Sequence, residues 1–214
     1  MKYKYYKLIF ALLTLMMLVS CGSTPGSPGS DSGKTGVIID ATIVPKAGGS
    51  AGLAGFNVDS LQDVCPDGTL EPFFDQTATV TINVRLLTPD STVPVGKLYI
   101  EKYTVEFRRS DDSTGAPPIL QDTRFQTITI LPPSGTGLTT VIQDVMMIDI
   151  PRKIQYDTDM LSGAYSSAIG NTAPAILNNY TAIYTFEGQN DFGEHFTFQT
   201  HMGFSIGDFN NCGG

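Results

Sequence analysis

Basic side chains are scarce: 13 lysines and arginines stand against 21 aspartates and glutamates in 214 residues. Lys2, Lys4 and Lys7 fall within the first twenty residues, which hold no acid, so the rest of the chain carries a net charge near −11. A body this acidic repels phosphate backbones and anionic head groups, which argues against nucleic acid as a partner and against a basic membrane-binding face. Histidine is nearly absent as well. His195 and His201 are the only two. Six residues at ~3.3 Å each put them about 20 Å apart on a continuous strand, too far to share one metal ion. The motifs of hydrolytic chemistry are missing: there is no G-x-S-x-G elbow, no H-E-x-x-H, and no cysteine with a nucleophile's partners. Without a turn from strand into helix, activation of a serine has no visible scaffold. Gly33-Lys34-Thr35 ends like a phosphate-binding loop, but that pattern needs glycine five residues before Gly33, where Pro28 stands, and a strand leading into it. Tryptophan is absent, while threonine, tyrosine, phenylalanine, glycine and proline are frequent, a composition of strands and turns rather than helices.

No apolar run is long enough to cross a bilayer. The longest, residues 8–19, is broken only by Thr14 and spans twelve residues, whereas a spanning helix needs roughly twenty. Preceded by three lysines, it has the charged head and apolar middle of a secretory signal. The stretch Leu18-Val19-Ser20-Cys21 that closes it resembles the lipobox of bacterial lipoproteins. That resemblance implies cleavage of residues 1–20, acylation of Cys21, and an anchor in the cell envelope. Each buried methylene contributes about 0.8 kcal/mol, so two or three acyl chains hold effectively permanently. Gly22, where a retention signal would have aspartate, implies by the same resemblance an outer-membrane location facing periplasm or exterior. Residues 21–36 contain no side chain able to pack into a core and read as a flexible Gly/Ser/Pro tether. At 5–6 Å times the square root of its length, its mean reach is on the order of 20 Å.

With Cys21 acylated, Cys65 and Cys212 remain. Outside the reducing cytoplasm such a pair tends to oxidise, and closing so long a loop would stabilise by about 4–5 kcal/mol in the chain-entropy model. We expect a disulfide between an early loop and the C-terminal tail. The competing expectations are two separate thiols and a Cys₂His₂ metal site, whose spacing here matches no zinc knuckle.

The remaining residues, 37–214, are expected to form one all-β domain. Residues 77–87 alternate, with Ala78, Val80, Ile82, Val84 and Leu86 on one face and Thr79, Thr81, Asn83 and Arg85 on the other, the period of a half-buried strand. In residues 99–108, Tyr103, Val105 and Phe107 oppose Lys102, Thr104, Glu106 and Arg108. Residues 37–44, 124–130 and 138–148 are less regular strand candidates, separated by turn-rich stretches. Residues 45–72 and 151–174 lack clear alternation and are expected to be loop-rich insertions, the second with a helical turn. Toward the end of the chain, Tyr180, Ala182, Tyr184 and Phe186 line one strand, and Phe196, Phe198, Met202, Phe204 and Ile206 another, joined by a turn at residues 189–193. This is a long hairpin closing a core. Its pattern, Y-x-A-x-Y-x-F-x-G-x-N-x-x-G from Tyr180 to Gly193, resembles the last two strands of immunoglobulin-like and fibronectin-type-III-like domains. The resemblance covers about thirty residues and implies an antiparallel β-sandwich, with no activity attached.

Acids gather in the expected loops: Asp111 with Asp112, Asp157 with Asp159, Asp191 beside Asn190, and Asp208 near Asn210 and Asn211. Calcium takes six to eight oxygens at ~2.4 Å, so Asp157, Asp159, Asp191 and Asp208 are the candidate ligands if a cation binds, although no segment has EF-hand spacing. The functional expectation is non-catalytic: a lipid-anchored envelope protein serving in adhesion, scaffolding or accessory binding, touching the membrane through Cys21 and a second envelope protein through its surface. The rival expectation is an envelope hydrolase, which requires His195 or His201 within hydrogen-bond reach of a serine and a carboxylate.

Overall fold

Where apolar and polar residues alternate with period two, the chain forms strands, and the apolar set of each turns inward. A computed structural model describes residues 35–46, 57–88, 94–165, 177–209 and 211–212. The expected leader, Cys21 and residues 22–34 of the expected tether (21–36) lie outside them, as do parts of both loop-rich segments. The last two residues of that tether are described, Thr35 buried and Gly36 C=O accepting from Leu87 N–H at 2.9 Å. Within the described residues run β1 (Val37–Pro45), β2 (Asn57–Asp59), β3 (Gln76–Leu86), β4 (Leu98–Arg109), β5 (Asp122–Ile130), β6 (Leu138–Ile148), α1 (Ile150–Leu161), β7 (Leu177–Asn190) and β8 (His195–Gly207). The all-β expectation holds. The strands make two sheets, one ordered β1-β3-β6 and the other β2-β8-β7-β4-β5, and one sheet curls into a half-barrel. All pairings are antiparallel except that of β2 with β8, which is parallel.

One apolar core lies between the sheets. Ala78, Val80, Ile82 and Val84 of β3 are fully buried, as are Val105 of β4 and Ala182, Tyr184 and Phe186 of β7. Across the hairpin, Phe186 stacks on Phe198 with ring centroids 4.9 Å apart, and Tyr180 stacks on Phe204 at 5.7 Å. Each fully buried ring of this kind contributes about 1.5–3 kcal/mol by leaving water. The sheets are also pinned by polar contacts. Met146, on the edge strand β6, donates its N–H to Tyr103 Oη at 2.9 Å and accepts from Tyr184 Oη at 3.3 Å. Both tyrosines belong to the other sheet, so backbone groups that an edge strand would leave open are taken across the core.

Two segments depart from expectation. The stretch after β6 is not a loop with a single helical turn but a helix of 12 residues, α1. Asp149 caps it by accepting from the Arg152 N–H at 3.2 Å, and Pro151 sits in its first turn, where a missing N–H costs nothing. It turns Lys153 and Tyr156 inward. The early loop-rich segment contains β2, three residues long, held by its parallel register on Ser205, Ile206 and Gly207.

Candidate functional site

The two ends of β8 define two chemically distinct regions. The strand has 13 residues, so at ~3.3 Å each they lie roughly 40 Å apart.

At the far end a tail crosses back over β2 and the following loop. Ser60 N–H donates to Gly207 C=O at 2.8 Å, Phe209 N–H to Asp59 Oδ1 at 3.1 Å, and Asn211 N–H to Glu71 Oε2 at 2.8 Å. Cys65 and Cys212 then close a disulfide, Cα to Cα 5.3 Å, across a separation of 147 residues. The expected pairing of an early loop with the C-terminal tail is what the structure contains. Beneath the disulfide sit two buried carboxyls, Asp59 at 4% exposure and Glu71 at 1%. The second oxygen of each is also used: Asn211 Nδ2 donates to Asp59 Oδ2 at 2.7 Å, and Asp63 N–H to Glu71 Oε1 at 2.9 Å. Burial pushes Asp59 up to about 6, and the neighbouring Glu71 carboxylate adds to it, against the pull of the Phe209 and Leu61 N–H groups. Burial also raises Asp157 and Asp208, each with help from nearby acids, Asp63 foremost. Lys153 is the buried cation of this corner. Its Nζ donates to Phe74 C=O at 2.7 Å and lies 4.8 Å from the centre of the Phe73 ring. Burial holds its amine below the usual lysine range, with Asp59 and Asp75 partly offsetting that.

The four acids proposed as calcium ligands are not brought together. Asp157 and Asp208 share this acidic corner. Asp159 accepts from the Gln155 amide at 2.9 Å on α1, and Asp191 lies at the opposite end of β8. Among the described residues no three His, Cys, Asp or Glu side chains are arranged to hold a metal ion. Asp59, Glu71 and Lys153, which organise the corner, were not singled out in the sequence. The only signal pointing to them is the Cys65–Cys212 pair, which brackets the loop they support.

At the near end lies the β7–β8 turn. Asn190 Oδ1 accepts from Phe192 N–H at 3.0 Å and from Glu194 N–H at 2.9 Å, while Gly193 takes the left-handed conformation at φ 77°. Asp191 reaches sideways and accepts from Lys97 N–H and Tyr99 Oη, both at 2.8 Å. These bonds hold its carboxyl below the usual range. The close approach depends on Gly96: a methyl group there would sit 2.9 Å from Asp191 Cβ and 3.1 Å from the Phe192 ring. The turn is thus fixed, and it displays Phe192 at 62% exposure beside Leu87 at 40%. Phe192, Leu86, Leu87, Pro94 and Val95 line an open cavity of about 480 Å³ together with Thr88, Asn190 and Glu194, and Thr35 and Gly36 also border it. This apolar rim was not anticipated, because Leu87 and Phe192 are 105 residues apart in the chain.

The two histidines are both exposed on the outward face of β8, paired with Gln189 and Ile183. His201 borders a shallow depression with Arg108, Arg109 and Ser110. A further charged group, Asp122, Arg124, Asp149 and Arg152, is a closed set. Arg124 Nε meets Asp122 at 2.6 Å, Arg124 Nη2 meets Asp149 at 2.8 Å, and Arg152 reaches Asp149 at 2.7 Å and Asp122 at 3.1 Å. For Asp149, burial works against ionisation and the hydrogen bond and charge of Arg152 overcome it. With each charge answered, this cluster ties β5 to the start of α1.

No protein-family model, no curated protein and no solved structure matches the chain.

Proposed function

We propose that the protein is a non-catalytic lipoprotein of the bacterial cell envelope, anchored through acylated Cys21, whose folded body is an immunoglobulin-like sandwich serving as an adhesion, scaffolding or accessory binding module. The observation that carries the reading is the order of segments. A basic, apolar leader ends in Leu18-Val19-Ser20-Cys21, a stretch without core-forming side chains follows, and strand β1 starts at Val37. Gly22 after the acylated cysteine favours the outer membrane.

The fold assignment is supported by strand order. In immunoglobulin-like and fibronectin-type-III-like domains, strands A-B-E face strands G-F-C-C′. Taking β1, β3, β4, β5, β6, β7 and β8 as A, B, C, C′, E, F and G reproduces both orders, with β2 as an additional strand that pairs in parallel with G. The chain departs from antibody domains in placing its disulfide between the first crossover and the tail rather than between B and F, and in lacking tryptophan. Against the hydrolase alternative stand the two exposed histidines, on the outer face of one strand and six residues apart.

Intact-mass analysis of the native protein tests the anchor. The expected species starts at Cys21 and carries acyl chains, and Cys21→Ser loses both the acyl mass and co-fractionation with membranes. A bare sulfur, or a retained leader on the native protein, overturns the proposal.

A further inference from the structure

We propose that the end of the domain carrying Phe192 rests on the lipid surface, with Phe192 and Leu87 as the inserted side chains. This rests on the lipoprotein reading above and adds an orientation to it. Thr35 and Gly36, at the end of the expected tether, border the same cavity as Leu87, Pro94 and Phe192. Cys21 lies fourteen residues before Thr35, so the acylated sulfur stays on the order of 20 Å from this rim on average. A tether of that length keeps the bilayer at high effective concentration at this end of the body. The opposite end of β8, with its buried and surface carboxyls, is roughly 40 Å farther along the strand direction.

The chemistry of the rim suits lipid. Phe192 and Leu87 project from the domain, and Pro94 is exposed beside them. The turn that presents Phe192 is already ordered: Asn190 Oδ1 takes two of its N–H groups and Asp191 fastens it to Lys97 and Tyr99. Inserting a side chain from a fixed turn costs little further conformational entropy. Asp191 and Glu194, both exposed, flank the apolar tip, so the surface that fits is zwitterionic rather than strongly anionic.

The absence of tryptophan makes the test specific. Phe192→Trp introduces a single indole at the rim, and Leu161→Trp introduces one at an exposed position near the end of α1. The full acylated protein is reconstituted on phosphatidylcholine vesicles, with and without brominated acyl chains, and each variant is checked for an unchanged melting temperature. We expect the Phe192→Trp emission to shift to the blue and to fall at least twofold with brominated lipid, while Leu161→Trp stays unquenched. If the acylated protein floats with the vesicles and Phe192→Trp remains water-like and unquenched, the orientation is overturned and the anchor stands. If the protein does not float and Cys21 carries no lipid, the anchor fails and the orientation fails with it.

Discussion

The two ends of the long hairpin are built by opposite means. At the near end the Phe192 turn is short, lies near Thr35 and Gly36, and is held by hydrogen bonds that Asn190 accepts within the turn and Asp191 accepts from Lys97. At the far end three distant pieces of chain converge, residues 57–71, α1 and the tail after β8, and they are joined by a disulfide and buried charge. Both ends leave apolar groups in solvent, Phe192 and Leu87 at the near end and Val64, Leu70 and Leu161 at the far end. The far end buries ionisable groups, and that is tolerable only while covalent and hydrogen-bonded closure keeps their partners in place. One end is closed by hydrogen bonds alone, the other by a covalent bond as well.

Breaking the covalent closure should have the largest effect. Cys65→Ser is expected to lower stability by about 4–5 kcal/mol, read as a shift of the urea midpoint under oxidising conditions, and reductant should bring the unmodified protein to the same midpoint. Next comes Gly188→Ala. A methyl group there would lie 2.1 Å from Tyr99 C=O and 2.9 Å from the Phe196 ring, so a cost of about 3 kcal/mol is expected, measured by the same unfolding curves. An effect under 1 kcal/mol would mean that β4 and β7 can part without penalty. The buried Asp59 comes third. Its carboxyl is raised from 3.8 to about 6 in the folded protein, so the folded state holds this proton where the unfolded chain has released it. The resulting stability is present below pH ~4 and is lost as pH rises through ~6, on the order of 2–3 kcal/mol. Asp59→Asn should therefore flatten that part of the pH–stability curve, and an unchanged slope would show that Asp59 does not carry it. At the near end Phe192→Ser should move stability by less than about 0.5 kcal/mol, sharpening the contrast. Smallest of all is the effect of a calcium chelator, for which calorimetry should find no change in melting temperature. A fall would reinstate the loop acids as ligands.

The strands were legible because each buries one face only, so Ala78, Val80, Ile82 and Val84, or Tyr180 through Phe186, write their burial into every second residue. Helix α1 was not, because its inward positions are Lys153 and Tyr156, and a buried lysine erases the apolar stripe by which helices are recognised. Asp149 followed by Pro151 was the remaining sign of a helix start. Strand β2 is three residues long, too short to show a period, and exists only because β8 offers it an edge. The disulfide could be read because two cysteines remained once Cys21 was set aside. The carboxyl pair beneath it could not, since Asp59 and Glu71 meet through Asn211 and Phe209, contacts that no local pattern encodes.

The Cys65–Cys212 bond also decides how the molecule would respond to being pulled. With 147 residues of separation closed into a ring, a force applied between the two ends of the chain runs through residues 35–65 and then directly across the sulfurs. β3 through β8 lie inside that ring and cannot be drawn out while it is intact. Under such a load only the first two strands can unravel, adding on the order of 100 Å of slack. The greater part of the body would stay whole while tension rises.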